Sequence, residues 1–183
     1  ANGSSHWLTY HSGLGNNTHY MVLNTTGAVD TGGASVWNST SPTSSVFSIG
    51  TSSWINPSSG TMIVYAFHSV DGYSKVGSYE GNNNADGTFV YTGFRPKWIM
   101  ITNYDASDQE WRIYDTERST YNVIDDTLSA DSSAAETTGQ NYLNLDVLSN
   151  GFKLRIASGA INIAQSHIYL AFAETPFKYS NAR

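Results

Sequence analysis

The side chains best suited to binding chemistry in this sequence are two tryptophans set among small polar residues. Trp37 and Trp54 are each surrounded by Ser, Thr, Gly and Asn. A rigid aromatic ring in such a setting offers contact area at a low cost in conformational entropy. Trp37 and Trp54 are therefore our weak candidates for ligand-binding residues, which would stack on the apolar face of a sugar ring. Packing under a loop as a small local core is the interpretation that we favour for each ring.

A second pattern concerns a cation. Asn82, Asn84 and Asp86 occupy alternate positions and are followed by Gly87, as at the start of a calcium loop. The twelfth position of such a loop needs Glu, and here it is Gly93. A hairpin turn that ends in Asp-Gly accounts for the same residues, because both tolerate positive φ. We favour the turn and keep a weak calcium site at Asn82, Asn84 and Asp86 as the alternative.

Patterns typical of catalysis are missing from the sequence. Two carboxylate pairs could act on a glycan, but the first lies beside Arg118, which favours an ion pair or a turn contact. The sequence has no cysteine, no zinc-protease motif, no nucleophile elbow and no phosphate loop. We predict that the protein is not an enzyme and uses no cofactor. The two carboxylate pairs are Asp115 with Glu117 and Asp125 with Asp126.

The histidine spacing, the net charge and the lengths of the apolar runs argue against a zinc site, a nucleic-acid partner and membrane insertion. His6, His11 and His19 lie near one another but match no zinc-ligand spacing, so we interpret them as polar surface residues. Nine Lys and Arg face 15 Asp and Glu, for a net charge of −6, and no basic cluster is present. A nucleic-acid partner is therefore not expected. No apolar run approaches the roughly 20 residues that span a bilayer, so we expect no membrane insertion.

The elements that would position these residues are predicted to be short strands. Aromatic residues make up 13% of the chain, which argues against disorder, and helical periodicity is nearly absent. Runs of β-forming residues alternate with Gly- and Asn-rich turns, which predicts an all-β fold of the β-sandwich or jelly-roll type. The predicted strands are Thr61–Phe67, Gly87–Tyr91, Trp98–Thr102, Trp111–Tyr114, Phe152–Ile156 and His167–Ala173.

An internal repeat organises the chain. Four segments recur in the same order at a spacing of 104 to 106 residues, which predicts two related units, 1–72 and 73–183. The first unit has no counterpart of the strands Thr88–Tyr91 and Trp98–Thr102, so we expect it to be truncated at its N-terminal side. The recurring segments are Trp7–Tyr10 with Trp111–Tyr114, Val46–Ile49 with Gly151–Leu154, Ile55-Asn56 with Ile161-Asn162, and Ile63–Phe67 with Ile168–Phe172.

Segments of the second half resemble a repeat module of large tailed-bacteriophage structural proteins, a type that is frequent in marine phages and often occurs in tandem. The resemblance extends over nearly the whole chain and implies a tail fibre or another virion appendage, located on the virion outside the cell. It carries over no catalytic or ligand residue. The segments are Tyr79–Asn82, Asp86–Pro96, Leu148–Leu154 and Tyr169–Glu174.

These observations lead to a functional hypothesis and its alternatives. We expect a non-enzymatic appendage protein that contacts other virion proteins and a glycan or receptor on the host surface. A stand-alone carbohydrate-binding module and a glycan depolymerase domain are the alternatives. Avidity and the uncovered edge of the first unit favour a homo-oligomer, with a trimer preferred. Equivalent repeat positions predict that Trp7 and Trp111 pack in the core, and the C-terminal aromatics predict that Phe177 is buried.

Overall fold

The computed structural model describes residues 6–157 and 159–175 of the 183-residue chain. Within these ranges the regular structure is almost entirely β, as predicted. The strands are β1 (Leu8–Thr9), β2 (Met21–Val22), β3 (Ser74–Glu80), β4 (Phe89–Tyr91), β5 (Pro96–Asn103), β6 (Arg112–Asp115), β7 (Leu128–Ser129), β8 (Leu145–Leu148), β9 (Gly151–Leu154) and β10 (Ser166–Ala173). A one-turn helix α1 covers Ala34–Trp37, and a 3-10 turn covers Ser12–Leu14.

The larger sheet has five antiparallel strands in the order β3-β10-β5-β6-β7. Its second strand is β10, which pairs with β3 from Ser166 to Phe172 and with β5 from His167 to Ala173. Both edges of β10 are therefore hydrogen-bonded, although β10 follows its two neighbours by many residues in the chain. Alternate β10 side chains point to opposite faces of the sheet, so Tyr169 and Ala171 enter one core and Ile168 another.

A smaller sheet of three strands, in the order β4-β9-β8, faces the larger one. Phe152 of β9 is fully buried and meets the rings of Tyr79 and Tyr169 edge to face. Edge-to-face pairs add to the stabilisation that burial of apolar area provides. Two antiparallel sheets packed through one apolar core form a β-sandwich, which confirms the predicted fold class.

The outer face of the larger sheet is covered by residues from the first predicted unit. Leu14 and Met21 form a second apolar cluster with Trp111 and Ile168. The approach is close at Gly13, where an added Cβ would lie 2.9 Å from the Cβ of Ser78. Glycine at this position lets the 3-10 turn pack against β3. Segments that belong to the two predicted units thus share one apolar cluster.

Five of the six strands predicted from sequence are confirmed with small shifts of their ends. They correspond to β4, β5, β6, β9 and β10. Strand β3 has few large apolar residues and was not predicted. No helix in residues 6–157 and 159–175 has the length and apolar character needed to cross a membrane. The predicted burial of Phe177 lies outside the described residues.

The strand predicted at Thr61–Phe67 is wrong. Residues 61–69 form no strand, and the side chains of Ile63, Val64 and Tyr65 are all more than half exposed. The equivalent residues of the second unit lie in β10, whose pairing partners are β3 and β5. An isolated strand leaves its backbone groups without partners, and residues 6–72 contain no counterpart of β3 or β5. The division into units 1–72 and 73–183 itself stays a prediction.

Candidate functional site

A shallow cleft of about 190 Å³ lies beside the start of the five-stranded sheet. One wall comes from residues 69–75 and includes Asp71 and Lys75, and another comes from residues 91–93 and includes Tyr91. Charged side chains of both signs and an aromatic ring thus line one open groove. The complete lining is Ser69, Val70, Asp71, Ser74, Lys75, Tyr91, Thr92 and Gly93.

The alternation of β4 places Tyr91 at this cleft. Val90 is buried in the sandwich core, whereas Phe89 and Tyr91 point outward and are 43% and 62% exposed. Side chains alternate between the two faces of a strand, so this three-residue strand presents two aromatic rings to solvent. Gly93 has φ of 87°, a value that glycine adopts without strain, and it turns the chain sharply after Tyr91.

Hydrogen bonds hold both walls in place. The Ser69 hydroxyl accepts from the Val76 amide at 3.0 Å and donates to the Val76 carbonyl at 3.3 Å, which ties the first wall to β3. On the other wall, the Thr92 hydroxyl donates to the Phe94 carbonyl at 2.6 Å. The cleft is therefore built on hydrogen-bonded backbone rather than on a free loop.

The two predicted tryptophans lie in different environments. Trp37, on α1, is 8% exposed and packs with Tyr20 and Val36, and its indole N–H donates to the His19 carbonyl at 3.1 Å. It offers no open ring face in this structure, and the local-core interpretation fits its burial. Trp54 is 49% exposed, with the ring of His6 tilted against it at 5.0 Å. Trp54 therefore stays a candidate contact residue, and it does not line the Tyr91 cleft.

The equivalent tryptophans Trp7 and Trp111 do not share an environment either. Trp111 is 3% exposed and lies in the second apolar cluster, as predicted. Trp7 is 49% exposed and stacks on Tyr65 with the ring centroids 6.0 Å apart. The prediction that Trp7 packs in the core is wrong, because the residues around Tyr65 form no sheet that could cover it.

The predicted calcium residues form a stack of turns held by Asn162. The Asn82 side-chain oxygen accepts from the Asn84 amide at 3.0 Å, and that of Asn84 accepts from the Asp86 amide at 2.9 Å. Asn162 is fully buried, and its amide nitrogen donates to the Asn82 side chain and the Asn84 carbonyl. Lys153 pairs with Asp86 at 2.6 Å, and this hydrogen bond lowers the pKa of the Asp86 carboxyl.

These contacts bear on the choice between turn and cation. Each of the three side-chain oxygens already accepts from a donor of the chain, so a calcium ion would have to displace those donors. Among residues 6–157 and 159–175, no group of three or more His, Cys, Asp or Glu side chains is placed to hold a metal ion.

The first carboxylate pair lies in a network of charged side chains. Asp115 accepts from the Arg118 amide at 2.9 Å and pairs with its guanidinium at 2.6 Å, and these contacts lower the pKa of Asp115 against the opposing effect of burial. Arg118 also pairs with Glu136 at 2.8 Å, and Lys97 pairs with Glu117. This is the turn-and-ion-pair arrangement that we favoured for Asp115 and Glu117.

The two carboxylates of the second pair, Asp125 and Asp126, do not share a hydrogen-bond partner in the contact that Asp126 makes with Ser119. Asp126 accepts a hydrogen bond from the Ser119 hydroxyl at 2.9 Å, and the Asp126 amide donates to the same hydroxyl at 3.2 Å. Asp125 takes no part in this exchange. The reciprocal contact closes a short loop, which is a structural role.

Two histidines are more deeply placed than the sequence suggests. His11 caps the 3-10 turn by accepting from the Gly13 amide at 2.9 Å, and its other ring nitrogen lies 3.2 Å from the Tyr169 carbonyl. The interpretation of His11 as a surface residue is wrong, because it bridges the first unit to β10. His167 is fully buried and stacks on Tyr79 at 4.8 Å. Desolvation lowers the pKa of both rings.

The structure defines the class of the protein as an antiparallel β-sandwich with an open, aromatic-edged cleft. Residues 1–176 match the model of a family described as a domain of unknown function (DUF7483), and the chain belongs to that family. The match extends over both repeated halves. No curated protein and no solved structure matches the chain.

Proposed function

We propose that the protein is a non-enzymatic module of a tailed-phage virion appendage that contacts a glycan on the host surface through the Tyr91 cleft. The observation that carries the glycan part is the outward ring of Tyr91 beside polar groups from Ser69 to Lys75. The virion part is supported by the resemblance of the sequence to tail-protein repeats. The low content of charged residues, 13%, is compatible with contact to neutral glycans.

The chemistry of the cleft suits a sugar. A sugar ring has an apolar face that packs on an aromatic ring and a rim of hydroxyls that exchange hydrogen bonds. Tyr91 provides the ring, and the charged side chains of Asp71 and Lys75 line the same cleft. The cleft is smaller than the roughly 300–1,000 Å³ of enclosed ligand sites. It therefore fits one residue of an extended glycan better than a buried small molecule.

Shallow sites of this kind bind weakly one at a time. Several copies on one particle raise the overall avidity by large factors without any new contact. An oligomer, with a trimer preferred, and contacts with other virion proteins are therefore part of the proposal. Trp54 is a second exposed ring that a long glycan could contact.

A glycan array with matched variants tests the recognition step. Tyr91→Ala removes the ring in the cleft, whereas Phe89→Ala removes the neighbouring outward ring on the same strand, which does not line the cleft. We expect binding to be lost in Tyr91→Ala and kept in Phe89→Ala. Equal binding by both variants and the unaltered protein would contradict the role of the cleft.

Particle analysis tests the location. We expect mass spectrometry of purified virions to detect the protein, and its absence from particles would leave a stand-alone carbohydrate-binding module as the better explanation of any glycan binding. Incubation with the bound polysaccharide should leave its viscosity unchanged. A fall in viscosity would instead support a depolymerase and contradict the non-enzymatic assignment.

A further inference from the structure

Equivalent residues of the two repeat units differ in how much of their side chains is exposed. Ile63 is 68% exposed and Val64 is 57% exposed, whereas their equivalents Ile168 and Tyr169 are 1% and 4% exposed. The same apolar pattern is thus buried in one unit and open to solvent in the other. Contiguous exposed apolar surface of this kind typically marks an interaction site.

The backbone shows the same difference. In the second unit, β10 is hydrogen-bonded along both edges, to β3 on one side and to β5 on the other. In the first unit, the backbone of residues 61–67 makes no hydrogen bond with any described residue. A segment whose backbone groups are open on both edges can accept a strand on each side.

The small sheet is also incomplete in the first unit. Phe152 and Leu154 of β9 are fully buried, whereas their equivalents Phe47 and Ile49 are 46% and 45% exposed. In the second unit these β9 side chains pack against residues of β3 and β5, among them Tyr79. The first unit therefore lacks the sheet that its Phe47 and Ile49 would face.

The hydrogen bonds of two equivalent asparagines also indicate that the first unit lacks a counterpart of β3. Asn162 and its equivalent Asn56 both donate to a carbonyl six residues earlier, that of Ile156 in one unit and that of Gly50 in the other. Asn162 has further partners on Asn82 and Asn84, directly after β3, and Asn56 has none of these. The contact of Asn56 with Gly50 therefore matches that of Asn162 with Ile156, without the β3 side of the network.

We propose that residues 61–67 are an acceptor site for two antiparallel strands of the β3 and β5 type, supplied by a further repeat segment that has no β10-type strand of its own. The incoming pair would flank residues 61–67 as β3 and β5 flank β10, cover Phe47 and Ile49, and bring a loop to Asn56. A second copy of this chain is a poorer donor, because its β3 and β5 already pair with its own β10.

A fusion of the chain with a copy of its own strands tests the proposal. Residues 73–104, which contain β3, β4 and β5, are joined directly to Ala1. Trp7 then follows the added β5 at the distance at which Trp111 follows the natural one. We expect the amides of residues 62–67 to exchange hydrogen at least about tenfold more slowly than in the unfused protein.

The matched control is the same fusion with Ile99→Asp and Ile101→Asp in the added copy only. Both side chains point into the sandwich core in the natural sheet, so their replacement should prevent docking. In each protein the natural β10 amides report whether the second unit is folded.

The outcomes are distinct. Slow exchange at residues 62–67 in the fusion, with fast exchange in the control and in the unfused chain, supports the proposal. Equal exchange in the fusion and the control, with β10 protected in both, overturns it. Protection of residues 62–67 in the unfused chain together with dimers in sedimentation also overturns it, because a second copy would then be the occupant.

Discussion

Residues 168–172 (Ile-Tyr-Leu-Ala-Phe) and 63–67 (Ile-Val-Tyr-Ala-Phe) have similar apolar sequences, yet they lie in opposite environments. In the second unit this segment lies in β10, an interior strand of a five-stranded sheet, and in the first it forms no strand and is exposed. The difference lies in what surrounds each segment rather than in the segments themselves. It teaches that β structure requires pairing partners as well as a suitable pattern.

The comparison extends to residues outside the strands. Trp111 is buried and Trp7 is half exposed, although both begin the same Trp-x-x-Tyr pattern. Asn162 is fully buried in a hydrogen-bond network, whereas the Asn56 side chain makes one hydrogen bond within the described part of the chain. Each pair therefore compares one residue type in two settings, one in which the neighbouring strands are present and one in which they are absent.

The largest difference is expected for the equivalent phenylalanines. Phe152→Ala removes a fully buried ring between Tyr79 and Tyr169 and should lower the free energy of unfolding by about 3–5 kcal/mol. Phe47→Ala alters an exposed ring and should change it by about 0.5 kcal/mol or less. Urea denaturation measures both. Similar losses for the two variants would show that the first unit has a core of its own.

A smaller difference is expected for the equivalent asparagines. Asn162→Ala removes several hydrogen bonds made by one fully buried side chain, among them those to the Asn82 amide and the Asn84 carbonyl, and should cost about 2–3 kcal/mol. Asn56→Ala removes one hydrogen bond to the Gly50 carbonyl and should cost about 0.5–1 kcal/mol. Chemical denaturation gives the two values, and faster hydrogen exchange at residues 82–84 should accompany the first. Equal costs would contradict the assigned network.

The buried histidine predicts how stability depends on pH. Burial lowers the pKa of His167 below the ordinary histidine value of 6.5, although hydrogen bonds to the Ala160 and Gln165 carbonyls partly oppose this. Below pH 6.5 the unfolded chain therefore binds protons more readily than the folded one. The contribution of neutral His167 to the free energy of unfolding is therefore complete above pH 6.5. It is lost as the pH falls from 6.5 toward the lowered pKa of the folded state.

Variants at two histidines isolate this effect. His167→Gln should flatten the dependence of the unfolding midpoint on pH below 6.5. His68 is exposed, so His68→Gln should leave the slope unchanged and serves as the control. Thermal melts between pH 5 and 7.5, roughly the range in which histidine titrates, provide the measurement. An unaltered slope in His167→Gln would assign the dependence to other groups.

The smallest effect is expected at the turn that resembles a calcium loop. Because Asp86 pairs with Lys153 and the asparagine oxygens accept backbone amides, calcium at about 10⁻³ M, the range of weak extracellular sites, should leave the melting temperature unchanged. Calorimetric titration is the direct check. A rise in melting temperature that disappears in Asp86→Asn would support the calcium alternative.

Much of the second unit could be predicted from sequence because its strands are short apolar runs between strong turn signals. Strand β3 was not predicted because it contains few large apolar residues, so its sequence lacks the apolar pattern of a strand. Its small or polar residues include Ser74, Lys75, Gly77 and Ser78. Its strand conformation comes from pairing with β10, which lies far along the chain. The predicted strand at Thr61–Phe67 failed for the converse reason, since its pattern is strong and its partners are missing.

The candidate site was less accessible to sequence analysis. Trp37 and Trp54 have similar polar neighbours in sequence, and only the packing of Tyr20 and Val36 on Trp37 separates them. The outward direction of Tyr91 follows from alternation in the predicted strand Gly87–Tyr91. The cleft does not, because its second wall comes from residues 69–75, which no local pattern brings close to Tyr91.

The position of β10 in its sheet also governs the order of events during synthesis. Strands β3 and β5 leave the ribosome first, and the strand that joins them follows about sixty residues later. At roughly 5–20 residues per second the delay lasts several seconds. During that time Ile99 and Ile101 lack the β10 side chains of the sandwich core. Leu14 and Met21 likewise lack Ile168, their β10 partner in the second apolar cluster. The nascent chain therefore passes through a period of exposed apolar strands in which a chaperone, or a neighbouring nascent chain, competes with its own last strand.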